Sequence, residues 1–152
     1  MYLNFVSLII FYWLSIFSCL GYGLLISKIC NNKISINNYG YQGLFGILFL
    51  IIYSYISNFF FAHNLLHNSI LVLVGLASSI YFAYKKFFVQ DKIVVFIIVF
   101  SVLFLSFLIY KPHDDFSYYH FQYSYYLTQF PLLIGIGQFN HGFSTPSSIF
   151  YL

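Results

Sequence analysis

The sequence predicts an all-α transmembrane protein, and its composition and its long apolar runs support this prediction. Of its 152 residues, 61% are hydrophobic and 6% are charged, with a mean hydropathy of +0.86. A soluble globular domain carries about 25% charged residues, so this chain cannot surround a core with a solvated surface. The shortage of charge and cysteine also excludes a disordered chain, a disulfide-rich secreted module and a nucleic-acid-binding domain. The predicted partner is therefore the lipid bilayer, with no nucleic acid.

Four apolar segments in residues 1–110 are candidates for membrane-spanning helices. A hydrocarbon core of about 30 Å needs about 20 residues of helix. The four segments lie near residues 5–27, 41–62, 69–84 and 93–110. They are apolar throughout, whereas the strands of a membrane barrel alternate apolar and polar residues. We therefore predict a four-helix transmembrane region over residues 1–110.

Five glycines lie in the first three predicted spans. They are Gly21, Gly23, Gly43, Gly46 and Gly75. Small residues allow membrane helices to approach closely, but none of these glycines forms a complete Gly-x-x-x-Gly motif. Glycine is also common in membrane helices without any such role. We interpret these five as ordinary glycines, with close packing as the alternative.

The lysines predict the orientation of the spans. All six basic residues are Lys, and five of them lie in the loops after the first and third spans: Lys28, Lys33, Lys85, Lys86 and Lys92. Loops rich in Lys stay in the cytoplasm, so the 28–40 and 85–92 loops are predicted to be cytoplasmic. The N-terminus, the 63–69 loop and everything after Tyr110 are then predicted to face outward.

Residues 111–148 form the first large outward loop of this topology. The loop holds two of the three acidic residues, three of the five histidines and all three prolines. Long loops of a compact protein are usually functional. The four residues that follow, 149–152, read Ile-Phe-Tyr-Leu and are typical of the start of a fifth span. We therefore expect the chain to be the N-terminal part of a longer polytopic protein.

A helix is predicted within this loop, at about residues 116–130. Aromatic residues recur at three- and four-residue spacing on one face, at Phe116, Tyr119, Tyr123, Tyr126 and Phe130. Tyrosine-rich amphipathic helices suit the headgroup region of a bilayer. The segment is therefore predicted to be an interfacial helix on the outer surface, ended by the proline that follows it.

Two adjacent carboxylates, Asp114 and Asp115, directly precede this predicted helix. Such a pair suits a general base, a metal ligand or a helix cap. Consecutive helical residues point about 100° apart, so the two carboxylates would not face one target together. We expect one of them to face a pocket and the other to cap the helix.

A second candidate metal site consists of His63 and His67. Their i, i+4 spacing is one that can bind a metal ion. Their short loop offers no third ligand, so we interpret both histidines as structural.

Residues 111–150 carry a set of spaced motifs. They are Asp115 five positions before His120, Tyr119 before that His, Gly135-Ile-Gly137 with Asn140 and His141, and Ser147-Ser148-Ile-Phe150. With these motifs the loop resembles that of the polytopic glycosyltransferases of the C-type superfamily, which includes the protein O-mannosyltransferases and the aminoarabinose transferases. It is more closely similar to the loop of a group of bacterial membrane proteins related to this superfamily. One departure is the absence of the Arg that these relatives carry after their Asn-x-His-Gly motif.

The resemblance implies an integral membrane glycosyltransferase of the bacterial cytoplasmic membrane. Its reaction would transfer a sugar from a polyprenyl-phosphate-linked donor to an acceptor on the outer face. It implies Asp115 as the general base, directly or through a divalent cation such as Mg²⁺ or Mn²⁺ that Asp115 binds, with Asp114 as second choice. The implied substrate-binding residues are Lys111, His113, Tyr119, His120, Asn140 and His141.

Two other classes of function fit a polytopic chain. A surface-polysaccharide polymerase or ligase also handles polyprenyl-linked sugars, but Arg-rich outward loops are typical of it and this chain has no Arg. A non-catalytic membrane subunit or a transporter fragment is the other class. The predicted spans contain no Asp, Glu, Lys or Arg, which argues against ion-coupled transport.

Overall fold

A computed structural model of the chain describes residues 4–30, 38–85, 88–109, 116–138 and 143. All regular secondary structure in these residues is helical, which confirms the predicted all-α class for this part of the chain. The longer helices are α1 (Phe5–Ile29), α2 (Tyr39–Asn58), α3 (Leu65–Tyr84), α4 (Gln90–Phe104) and α5 (Phe121–Gln129).

Three of these helices, α1, α2 and α3, are long and apolar enough to cross a membrane. They contain 25, 20 and 20 residues and have mean hydropathies of 2.0, 1.4 and 1.7. The chain is therefore a membrane protein. The α4 helix has 15 residues and continues into a 3₁₀ turn at Leu105–Leu108, so the fourth span stays a prediction. The proposed start of a fifth span, at 149–152, lies outside the described residues.

Asparagine caps set the first residues of α2 and α3. The Oδ1 of Asn64 accepts a hydrogen bond from the backbone N–H of His67 at 3.0 Å, so α3 begins at Leu65 rather than near residue 69. The Oδ1 of Asn38 does the same for Gly40, also at 3.0 Å, at the start of α2. Each cap satisfies an N–H that has no partner within its helix. The α2 helix ends at residue 58, four residues before the predicted end.

The structure divides into two compact units, the first formed by residues 1–49 and 71–110. Within it, glycines allow close contact between helix backbones. A Cβ on Gly23 would overlap the carbonyl oxygen of Gln42, and a Cβ on Gly46 would overlap that of Cys19. Gly21 and Gly75 are packed as closely against a neighbouring helix, whereas a Cβ on Gly43 would meet no atom within 4 Å. The interpretation as ordinary glycines was therefore wrong for four of the five, because close approach requires no complete Gly-x-x-x-Gly motif.

Hydrogen bonds between helices also hold this first unit together. The Tyr12 hydroxyl donates to the carbonyl oxygen of Phe100 at 2.7 Å, which joins α1 to α4. The Tyr22 hydroxyl donates to the carbonyl oxygen of Leu71 at 2.8 Å, which joins α1 to α3. Because hydrocarbon offers no water, such groups must find their partners inside the protein.

One end of the first unit gathers the last turns of α1 and α3 and the first turns of α2 and α4. The Nζ of Lys28 lies 5.2 Å from the ring centroid of Tyr81, so α1 and α3 end together. The Ser27 hydroxyl donates to Oε1 of Gln42 at 2.7 Å, which brings in α2. The hydroxyl of Tyr39 accepts a hydrogen bond at 2.6 Å from the backbone N–H of Val89, the residue that precedes α4. We call this the lysine end, because the described lysines lie in the last turn of α1, directly after α3 or in the first turn of α4.

The second unit, residues 50–70 and 111–152, contains α5 and the turn between α2 and α3. Tyr123 and Leu127 of α5 are buried, and Tyr55 of α2 packs against them. Two backbone hydrogen bonds join α5 and the residues after it to the turn. The N–H of His63 donates to the carbonyl oxygen of Leu127 at 2.9 Å, and the N–H of Leu132 donates to that of Asn58 at 2.8 Å.

The aromatic faces of α5 differ from those predicted. A π-helical turn at Phe116–His120 precedes α5 and adds one residue to the helical repeat. This turn brings Phe116 onto the same face as Phe121, with ring centroids 6.0 Å apart. The predicted single face was therefore wrong, because Tyr123 is buried whereas Phe116 and Phe130 are exposed. The end of the helix is as predicted, since Phe130 is extended before Pro131.

Candidate functional site

The sequence-predicted site falls mainly in residues that the structure does not describe. Lys111, His113, Asp114, Asp115, Asn140 and His141 lie outside the described residues, as does the side chain of Tyr119. His120 is described and is half-buried at the end of the π turn that leads into α5. The roles of general base, divalent-cation ligand and phosphate-binding residues therefore stay predictions.

A polar cluster occupies the turn between α2 and α3. We call it the His63 cluster, and its members are Tyr53, Ser57, His63, His67 and Asn68. The two imidazole rings are stacked, with centroids 4.4 Å apart and planes 14° from parallel. The Nε2 of His63 lies 2.8 Å from the Ser57 hydroxyl, and the Nε2 of His67 lies 3.2 Å from the Tyr53 hydroxyl.

The hydrogen bonds of Asn68 determine which nitrogen of His67 carries its proton. The Nδ2 of Asn68 donates to the carbonyl oxygen of His63 at 2.9 Å, so its Oδ1 is the acceptor that faces Nδ1 of His67 at 3.0 Å. Nδ1 therefore carries a hydrogen, and Nε2 shares a hydrogen bond with the Tyr53 hydroxyl. Both ring nitrogens of His67 are thus engaged with protein groups, which favours the structural interpretation of this histidine.

His63 is buried and is neutral at physiological pH. Burial is the main cause that lowers its pKa to about 4, and the neighbouring His67 lowers it further in the same direction. A neutral imidazole beside a hydroxyl can activate a nucleophile. Ser57, however, is only 5% exposed on the last turn of α2, so a substrate would not reach its oxygen. The cluster is best explained as a set of polar contacts that hold the end of α2 against the start of α3.

A hollow of about 530 Å³ lies beside α5 in the second unit. We call it the α5 hollow. Its lining consists of Phe59, Tyr123, Leu132, Leu133, Ile134, Gly135, Ile136, Gly137, Gln138 and Phe143. The backbone of this wall turns sharply at Gly135, whose φ of +91° is unfavourable for residues with a side chain. No charged side chain belongs to the described lining.

The sequence indicated His63 and His67 as structural histidines, but it predicted neither the rest of the cluster nor the α5 hollow. Comparisons of the chain with protein-family models, with curated proteins and with solved structures found no match. A signal for the His63 cluster is present in the sequence, because His63, His67 and Asn68 lie within six residues. The α5 hollow has no comparable local signal, since Phe59 and the Leu132–Gln138 segment are distant along the chain.

Proposed function

We propose that this chain acts in an integral membrane glycosyltransferase that uses a polyprenyl-phosphate-linked sugar donor. The acceptor would lie on the outer face of the bacterial cytoplasmic membrane. The observation that carries the proposal is the acidic pair Asp114–Asp115, placed directly before the π turn and α5 in a segment that resembles such enzymes.

The arrangement of the helices supports the outward location of this segment. The lysine end is the cytoplasmic end by the positive-inside rule, and α2 begins there. A helix that crosses the bilayer ends on the opposite face, so the turn after α2 would be outward. The α5 helix is bonded to that turn through His63 and Leu127.

The length of α4 is compatible with the fourth span that this topology needs. Its 15 residues and the four residues of the 3₁₀ turn together extend about 30 Å, from rises of about 1.5 and 2.0 Å per residue. This length matches the hydrocarbon core of a bilayer.

The proposed chemistry assigns different roles to the polar residues that precede α5 in the sequence. Asp115 would accept the proton of the acceptor hydroxyl as that oxygen attacks the anomeric carbon of the donor sugar, and the bond from that carbon to the phosphate oxygen would break to release polyprenyl phosphate. A carboxylate also suits Mg²⁺ or Mn²⁺, which would offset the charge of the donor phosphate. Lys111 and His113 would contact that phosphate. His120, which follows on the π turn, would contact the sugar or the phosphate.

The proposal is tested with membrane vesicles that contain the protein in accessible orientation. Polyprenyl-phosphate-linked mannose, glucose and aminoarabinose, each radiolabelled, are supplied in turn, and label is counted in the non-lipid fraction. We expect transfer from one of these donors, and Asp115→Asn should abolish it. Asp91→Asn is the matched control, because Asp91 is an exposed carboxylate in the first turn of α4, and it should leave transfer unchanged. Unchanged transfer by Asp115→Asn would refute the assignment of the base.

A further inference from the structure

The lining of the α5 hollow determines what it can bind. Its described side chains are aliphatic or aromatic, with Gln138 as the one amide and the Tyr123 ring buried at its base. An ionised headgroup would lose its hydration there without gaining a charged partner. A hydrocarbon chain has no hydration to lose, and it covers the apolar lining of the hollow. The volume of about 530 Å³ lies within the range of small-molecule sites, about 300–1,000 Å³.

An apolar surface of α2 leads directly to this hollow. Ile52 and Ile56 lie four residues apart on one face of α2, and Phe59 is the first residue after the helix ends. Their side chains are 51%, 58% and 53% exposed, so this face is not covered by the described part of the protein. In a membrane-spanning helix such a face contacts lipid. Phe59 also lines the hollow, so the hollow lies directly beside the end of this lipid-facing surface.

We propose that the α5 hollow binds one acyl chain of a membrane phospholipid, which enters sideways from the bilayer along the α2 face. The acyl chain is the hydrocarbon that already contacts this face, and its headgroup stays outside in the interfacial region. The bound chain fills the space between α5 and the segment Leu132–Gln138. This proposal does not depend on the proposed sugar transfer.

A bound chain also explains the exposure of the residues at the wall of the hollow. Ile134 is 95% exposed and Leu133 is 56% exposed, beside the glycine that turns the chain. Large aliphatic side chains at such exposure are costly in water and favourable against lipid. These exposed aliphatic side chains are therefore suited to contact with a hydrocarbon chain.

The test uses the full chain in lipid nanodiscs that contain phosphatidylcholine with a diazirine midway along one acyl chain. After irradiation, labelled peptides are identified by mass spectrometry. We expect labelling of the peptide that contains Leu132–Gln138 in addition to the lipid-facing residues of the spans. Ile136→Trp, which fills the hollow, should reduce labelling of that peptide severalfold. Ile98→Trp is the matched control, because Ile98 is 57% exposed on α4 and lies outside the hollow.

The outcomes separate the possible occupants. Equal labelling in the wild type and in Ile136→Trp overturns the proposal, as does a lack of label on Leu132–Gln138 in the wild type. A diazirine-bearing polyprenyl phosphate that labels this segment when the phospholipid probe does not would also overturn it. If Ile136→Trp does not fold, as judged by helicity and elution volume, Leu133→Trp at the wall serves as the second variant.

Discussion

The Nε2 of His63 lies 2.8 Å from the Oγ of Ser57, and both side chains are buried. This contact joins the last turn of α2 to the residues that precede α3. The same histidine donates its backbone N–H to Leu127 of α5. His63 therefore holds together three segments of the second unit.

Replacement of His63 should destabilise the second unit, because the buried Ser57 hydroxyl would lose its hydrogen-bond partner. His63→Phe keeps the aromatic volume but leaves the buried Ser57 hydroxyl with only a long contact of 3.4 Å to the carbonyl of Ser54. We expect a loss of about 1–3 kcal/mol in the free energy of unfolding. SDS-induced unfolding in mixed micelles, followed by circular dichroism, measures it.

A double-mutant cycle then tests the contact itself. Ser57→Ala and His63→Phe should be non-additive, because the two residues share one hydrogen bond. Ser78→Ala is the control, since that hydroxyl bonds only to the carbonyl of Val74 in its own helix and its loss should cost less than about 0.5 kcal/mol. Additive effects of His63→Phe and Ser57→Ala would show that the contact contributes nothing.

Acid should destabilise the fold through His63. The pKa of this imidazole is lowered from 6.5 to about 4, mainly by burial and further by His67, whereas the unfolded chain binds its proton at the ordinary value. The stability contributed by the neutral form is complete above about pH 6.5 and is lost as the pH falls towards 4. The slope is at most about 1.4 kcal/mol per pH unit. Unfolding midpoints of the wild type and His63→Gln, compared from pH 7 to pH 4, measure it, and equal slopes would contradict this prediction.

The helix contacts of the first unit can be tested with paired glycine substitutions. Gly23→Ala places a methyl group against the carbonyl of Gln42, and Gly46→Ala places one against that of Cys19. Each should lower the free energy of unfolding by about 1–3 kcal/mol, the usual cost of overpacking. Gly43→Ala is the control, because Gly43 is on α2 like Gly46 but a Cβ there would meet no atom within 4 Å. This substitution should be neutral or slightly stabilising. Equal effects of the three substitutions would contradict close packing.

The proposed orientation predicts which cysteines are accessible from outside the cell. Cys30 is exposed directly after α1, at the lysine end, and should resist a membrane-impermeant maleimide in intact cells. Gln129→Cys, at the exposed end of α5 in a Cys30→Ser background, should react. Both should react in permeabilised cells. Labelling of Cys30 in intact cells would reverse the topology.

The sequence predicted the helices better than their ends. Apolar runs located α1, α2 and α3, because in a membrane a helix must be both long and apolar. The predicted start of α3, near residue 69, is four residues too late. The apolar run becomes continuous only there, whereas the helix begins after the Asn64 cap.

The described site was harder to predict for a different reason. The α5 hollow depends on contacts between the end of α2 and α5, which are separated by more than sixty residues of chain, whereas the His63 cluster joins α2 to the start of α3 over shorter distances along the chain. Periodicity reports one segment at a time and cannot show which segments meet. The faces of α5 were misassigned because a π turn leaves no mark in a pattern that is counted at 3.6 residues per turn.

The π turn at Phe116–His120 makes the approach to α5 adjustable. Its i→i+5 repeat holds one residue more than an α-helical turn, so deletion of a single residue there would restore α-helical geometry instead of breaking the helix. The two backbone bonds that fasten α5 and its following loop lie downstream, at Leu127 and Leu132, and would survive. The chain entering α5 would instead rotate by about 100°. The spare residue therefore affects the direction in which the chain enters α5, and it leaves the contacts of α5 itself unchanged.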